Sequence, residues 1–219
     1  MIFVNYKTFE EGSGQKAISL TKILEEVAHA SQVKIIPVVQ TIDAEAVIAA
    51  TTLEIWIQHV DPLSYGAHTG WTLPDEAAKI GVSGVFLNHS EHKFDSFDAL
   101  YTANEKAMSA NLKTLIFAGS LDELKKIAEL APTYVAYEPP ELVGSTTTSV
   151  ARAQPEIISK ASEIATSSGE PLIVGAGVSS MEDVKKSLEL GAVGVAVATA
   201  VVKATDPKAK LTELTEGFK

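Results

Sequence analysis

Lys7, His89, Glu91 and Glu138 can each move or stabilise charge, and each follows a short apolar run: "FVNYK", "VFLNHSE" and "YVAYEPP". Glu138 is the sharpest case. A carboxylate at the end of a buried run is costly unless it has a partner or a task, and the two prolines after it cannot continue a ladder or enter a helix interior. Together these residues offer a carboxylate base, an imidazole and a fixed cation, which is what proton transfer beside a polarised carbonyl requires. Asn5 adds a hydrogen-bonding group next to Lys7. Small residues follow two further runs, at Gly175-Ala176-Gly177 and Ala198-Thr199-Ala200, where a backbone could approach an anion closely. Plainer readings stand beside these. Lys7 could be a solvated loop residue, "NHSE" a loop in which Asn88 or Ser90 caps the next helix, and Gly175 and Gly177 a tight turn. Glu138 has no such alternative, because the salt-bridge partner it would need at that rim is Lys7, which again makes a site.

Such residues need a frame that brings distant loops together. Eight β-branched runs read as strands, at 2–5, 34–39, 55–58, 84–88, 114–118, 134–137, 172–175 and 194–198. Amphipathic helical patterns separate them, with N-cap signals at Ser120 and Ser180 and C′ glycines at Gly81, Gly169 and Gly191. A weaker helix follows Ala200. Two joints, "AAKIGVSGVFL" and "LELGAVGVAV", repeat one design, a helix, a left-handed glycine and a strand packed closely on its helix. Strands buried on both faces imply a parallel sheet, either a closed (β/α)₈ barrel or a doubly wound open sheet. Closure is favoured. No GxGxxG follows the first strand, and about 27 residues per unit suits a barrel of ~250 residues. In a barrel the clusters after strands one, three, four, six, seven and eight all meet at one mouth, where barrel enzymes place their active sites. No linker divides the chain, so a single domain over 1–219 is expected.

Composition narrows the partners. The 219 residues carry 28 acidic against 18 basic side chains, a field that repels polyanions, so nucleic acid is not an expected partner. A small anion must instead be drawn in by backbone N–H groups and one or two placed lysines. There is no cysteine, which removes disulfides, thiolate metal sites and thiol nucleophiles. No apolar run reaches the about 18 residues of a membrane span, and a soluble cytoplasmic protein is expected.

Seven stretches in order carry a family resemblance: "NYK" (5–7), "QHVDP" (58–62), "GAHTG" (66–70), "NHSE" (88–91), "AYEPPELVG" (136–144), "GAG" (175–177) and "GVAVATAVVKATDP" (194–207). The chain resembles the triosephosphate isomerases in their short archaeal form, over essentially its whole length. The resemblance implies a cofactor-independent, metal-free isomerase of glycolysis and gluconeogenesis that interconverts dihydroxyacetone phosphate and glyceraldehyde 3-phosphate through an enediolate. It implies Glu138 as base, Lys7 as cation, Asn5 beside it, and Glu91 as the partner that orients Lys7. It implies His89 as an electrophile. For this family the imidazole is understood to work neutral because a helix N-terminus lowers its pKa, and Ser90 and Glu91 read as the start of such a helix. The phosphate would be held by backbone N–H groups of Val143 or Gly144, Gly177, Ala198 and Thr199, and residues 139–150 would form a lid. Loop three, "YGAHTGWT", would place His68 and Thr69 against a neighbouring subunit, giving a homodimer or homotetramer.

Two departures from the family pattern are present: Ser145-Thr146-Thr147-Thr148 after Gly144, and His92-Lys93 where a basic pair containing arginine is common. Other readings fit less well. A Schiff-base aldolase wants an inward lysine, and Lys34, at the start of its strand, is the nearest approach. A metal-dependent epimerase wants paired His and Asp ligands, and His59 reads as a loop-structuring residue instead. A barrel that binds a phosphorylated metabolite without turning it over is the non-enzymatic alternative.

Overall fold

Side-chain alternation along the strands decides the architecture. In β1 (Ile2–Asn5), Phe3 faces one way and Ile2 and Val4 the other. The same rule runs through β2 (Ile35–Val39), β3 (Trp56–Ile57), β4 (Gly84–Leu87), β5 (Lys113–Ala118), β6 (Tyr134–Tyr137), β7 (Leu172–Val174) and β8 (Gly194–Val197). Phe3, Ile36, Trp56, Phe86, Phe117 and Ile173 belong to an inner cluster, whereas Val4, Ile35, Ile57, Leu87 and Val174 belong to an outer one shared with the helices. Consecutive strands pair in parallel, and β8 pairs with β1 in the register Phe3 to Ala196. The sheet is a closed barrel.

The computed structural model describes residues 1–139, 149 and 153–219. Its helices are α1 (Gly14–Ser31), α2 (Ala44–Ile48), α3 (Pro74–Lys79), α4 (Phe97–Ser109), α5 (Leu121–Ala128), α6 (Pro155–Ser168), α7 (Met181–Glu189), α8 (Thr199–Val202) and α9 (Pro207–Glu216). The chain is thus a single-domain (β/α)₈ barrel. Ser120 accepts a hydrogen bond from the Glu123 N–H at the start of α5, and Ser180 and Asp183 form a capping box on α7. The single helix expected after Ala200 is two: α8 directly after β8, then α9, capped by Asp206. No helix among the described residues is long and apolar enough to cross a membrane.

Gly81 and Gly191 are left-handed, both at φ 97°, as the C′ reading requires. The second glycine of the first joint, to which the sequence assigned no contact, meets a neighbouring strand. A Cβ on Gly84 would lie 2.3 Å from the Trp56 ring, so the residue is small to admit the indole of the neighbouring strand, not its own helix. Trp56 then meets Phe3 edge-on at 5.0 Å, while Phe86 meets Phe117 at 4.8 Å. These rings fill the barrel. One inward step beyond Phe3, Trp56 and Ala136, the alternation delivers Asn5, Gln58 and Glu138 to the C-terminal mouth.

Candidate active site

The β6 ladder ends on Glu138, whose N–H still bonds the Ala118 carbonyl at 2.9 Å. Its buried carboxylate faces the barrel axis, and a Cβ on Gly175 of the next strand's end would sit 3.1 Å from its Oε1. Glycine there gives the carboxylate room. Oε2 accepts a hydrogen bond from Ser90 Oγ at 3.0 Å and lies 3.3 Å from His89 Nε2.

His89 is buried edge-on against Phe117 at 4.9 Å. Its Nδ1 accepts from the Glu91 N–H at 3.2 Å. That bond assigns the ring proton to Nε2, directed at the Glu138 carboxylate. The expected helix after His89 does not form. Residues 90–92 make one turn closed by the His92 N–H on the His89 carbonyl at 2.8 Å, and α4 begins only at Phe97 with Ser96 as its cap. A single backbone N–H, rather than a helix N-terminus, therefore sets the tautomer.

Lys7 lies just beyond β1 in the left-handed region, at φ 48°. Its N–H bonds Asn5 Oδ1 at 2.9 Å, and Gln58 Nε2 donates to the Lys7 carbonyl at 2.9 Å and to Asn5 Oδ1 at 3.3 Å. This clamp directs the ammonium along the mouth, where Nζ lies 2.6 Å from Glu91 Oε1.

A cavity of about 570 Å³ opens at this end, lined by Asn5, Lys7, His89, Glu138, Gly177, Ala198 and Thr199 among others. Ala176 and Gly177 both have positive φ, 70° and 71°, so the β7 loop turns its backbone sharply there. An adjoining part of the mouth is lined by Lys7, Gln58, His59, Glu91 and His92. His59 bonds Asp61 at 3.2 Å and stacks on His92 at 4.0 Å. Burial and the His92 charge lower its pKa, against the pull of Asp61. Among the described residues no three His, Asp or Glu side chains gather in a way that could hold a metal ion.

Behind His89, Glu123 accepts from Asn88 Nδ2 at 2.9 Å, the Gly119 N–H at 2.8 Å and Lys93 Nζ at 2.9 and 3.0 Å. Burial would raise this carboxyl, but the lysine and the two N–H donors hold it below the usual range. Lys93 thus makes a supporting salt bridge across the β4 and β5 loops despite the departure from the common basic pair.

Eight of the expected site residues line one mouth: Asn5, Lys7, His89, Glu138, Gly177, Ala198 and Thr199 in the cavity and Glu91 in its adjoining part. His68 and Thr69 stand apart on an exposed loop whose base is fixed by paired hydrogen bonds between Asp61 and Thr72. Val143, Gly144, the Ser145–Thr148 stretch and nearly all of the expected 139–150 lid lie outside the described residues. Sequence reasoning missed Ser90 and Gln58. Ser90 read as a loop or cap residue, and its bond to Glu138 spans 48 positions. Gln58 had only its place at a strand end as a signal.

Comparison with known proteins agrees with this geometry. The family model described as triosephosphate isomerase matches residues 1–216. The chain belongs to the triosephosphate isomerase family. The Sulfurisphaera tokodaii protein of that name is 37% identical over 209 residues, which cover 95% of this chain and 90% of that one. The Methanocaldococcus jannaschii protein of the same name is 34% identical, with 98% of both chains covered. That of Metallosphaera sedula is 36% identical, covering 99% of this chain and 95% of its own. The resemblance to archaeal members of the family holds over nearly the full length.

Proposed function

We propose that, in interconverting dihydroxyacetone phosphate and glyceraldehyde 3-phosphate, this chain uses Glu138 as the base, His89 as the electrophile and Lys7 as the fixed cation. The observation that carries the assignment is the 3.3 Å approach of His89 Nε2 to Glu138 Oε2 at the floor of one cavity that Lys7 also lines. Glu138 removes a proton from the carbon next to the carbonyl. As the enediolate forms, the His89 Nε2–H donates to the oxygen that gains charge, and Lys7 stabilises that charge electrostatically. The same carboxyl returns the proton to the adjacent carbon, while the hydroxyl proton passes from the first carbon's oxygen to the second carbon's oxygen by way of His89 Nε2, which gives its proton to one oxygen and regains one from the other. Ser90 holds the base in its resting position, which Glu138 leaves to reach the substrate. Asn5 and Gln58 keep Lys7 in place, and Glu91 both balances Lys7 and fixes the His89 tautomer.

The phosphate is bound by backbone N–H groups of Gly177, Ala198 and Thr199, with Val143 or Gly144 contributed by a lid over 139–150. Such a lid shields the enediolate from water. The exposed loop that carries His68 and Thr69 also presents Trp71 at 58% and Tyr65 at 59% exposure. Burial of that loop by a second copy makes a homodimer or homotetramer working in the cytoplasm. A monomer in sedimentation equilibrium at micromolar concentration refutes the assembly.

A coupled assay with glyceraldehyde 3-phosphate tests the chemistry. Glu138→Gln keeps the shape and removes the base, so turnover should drop by about 10²- to 10⁴-fold. Phosphate binding should survive. A variant with full turnover, or a wild-type protein without activity, overturns the assignment.

A further inference from the structure

We propose that Lys203 is the steering residue of this site, a cation without an ion-pair partner among the described residues that draws a phosphate dianion into an otherwise acidic molecule. The inference rests on the reading that the cavity takes a phosphorylated substrate, and it concerns capture rather than proton transfer.

The observation is one of charge accounting at the mouth. Six described residues lining the cavity carry charge, three of each sign: Lys7, Lys203 and Lys210 against Glu138, Asp206 and Glu213. Two of the lysines are already matched. Lys7 is paired with Glu91 at 2.6 Å. Lys210 is paired with Glu213 at 2.7 Å and also donates to the Ser179 carbonyl at 3.3 Å, which makes it a tie between α9 and the β7 loop. Lys203 has no carboxylate within ion-pair distance among the described residues. Its ammonium lies 5.3 Å over the Phe9 ring instead, a contact that attracts a cation without neutralising it.

Position follows from chain geometry. Lys203 is the residue directly after α8, so its backbone is fixed close to Ala198 and Thr199, and its N–H bonds the Thr199 carbonyl at 3.1 Å. Phe9, on the loop after the neighbouring strand β1, lies two residues beyond Lys7. The Lys203 side chain therefore leans from the β8 loop toward the β1 loop and remains exposed to solvent. The protein as a whole carries a formal charge of -10, which opposes the approach of an anion. A positive group at the entrance of a cleft counters such a field locally and raises the encounter rate, an effect that salt screens.

The test compares Lys203→Gln with Lys208→Gln. The second removes the same unit charge from a lysine that pairs with Glu26 and does not line the cavity. At low ionic strength Lys203→Gln should lower kcat/KM by about three- to tenfold with kcat nearly unchanged, and the deficit should shrink in half-molar salt. Lys203→Glu should lose more, and Lys208→Gln should match wild type. Inorganic phosphate titrated by calorimetry should bind Lys203→Gln more weakly than wild type by a similar factor. That measurement reads the steering charge even if the isomerase assignment fails. Equal phosphate affinity and equal salt dependence in the two glutamine variants overturn the proposal. So does a Lys203→Gln loss confined to kcat or to thermal stability, which would mark a packing role.

Discussion

Glu123→Gln isolates the carboxylate that holds the β4 and β5 loops behind His89. In the native site one oxygen serves Asn88 and Lys93 and the other serves the Gly119 N–H and Lys93. A glutamine must turn its NH₂ toward one of those donor sets. Either Asn88 Nδ2, which keeps its 3.0 Å bond to the Phe117 carbonyl, or the Gly119 N–H then meets a donor. Loss of a charged acceptor at one buried donor costs about 1.5–3 kcal/mol. The Lys93 ion pair adds less than about 1 kcal/mol, because the Lys93 side chain is 41% exposed and recovers water. The expected loss at pH 7 is about 2–4 kcal/mol, or roughly 5–12 °C in Tm for a chain of this size.

The pH dependence has a definite sign. The Glu123 carboxyl lies below its usual value in the folded protein, so its stabilisation is complete above the unfolded value of about 4.3 and is lost as pH falls through the folded value. Urea unfolding of wild type and Glu123→Gln from pH 7 to pH 3.5 should show a gap that is constant near neutrality and narrows in acid. Because Asn88 precedes His89, kcat should fall with little change in KM. A gap under about 0.5 kcal/mol at pH 7, or one that widens in acid, refutes the argument.

Gln58→Leu removes the donor to Asn5 Oδ1 and the Lys7 carbonyl; kcat/KM in the coupled assay should fall by about 10- to 100-fold as Lys7 shifts from its productive position. Gly84→Ala puts a methyl group where the Trp56 ring already lies, 2.3 Å away, and urea unfolding should show a loss of about 1–3 kcal/mol. His92→Phe keeps a ring against His59 and removes the charge that helps lower the His59 pKa; NMR titration should find the His59 value higher than in wild type. Lys7 is strained at φ 48°. Lys7→Gly should therefore equal or exceed Lys7→Met in stability by up to about 1 kcal/mol, with both variants severely impaired in turnover.

What the sequence made legible follows the physics that acts locally. The period-two runs, their number and the capping residues Ser120 and Ser180 all act within a few residues of themselves, and they carried the barrel and the identity of its mouth. The helix expected at Ser90 shows where that stops. "SEHKF" and "SFDAL" both place a serine just before an acidic or apolar stretch, and the real cap is Ser96, whose hydroxyl accepts from the Ala99 N–H. Ser90 turns to Glu138 instead, a partner that barrel closure brings to the same mouth from two strands away. The role of Gly84 is hidden for the same reason, since its neighbour is an indole on another strand. Lys203 lay inside a quoted stretch, yet its lack of an ion-pair partner among the described residues depends on carboxylates distant in sequence and is invisible in one dimension.

The left-handed Lys7 links these threads. A non-glycine residue at φ 48° is held there by the Asn5 carboxamide on its N–H and the Gln58 carboxamide on its carbonyl, so the strain is maintained by the two polar side chains that the inward alternation brings to the mouth. The same placement lets Glu91 reach the ammonium, while the Glu91 N–H reaches His89. One residue therefore balances the cation through its side chain and selects the imidazole tautomer through its backbone. With Lys7 matched in this way, its charge acts at short range on the oxygen that gains charge. On the proposal made for Lys203, long-range attraction of the dianion falls to a lysine without an ion-pair partner among the described residues, and the two cations act in separate places.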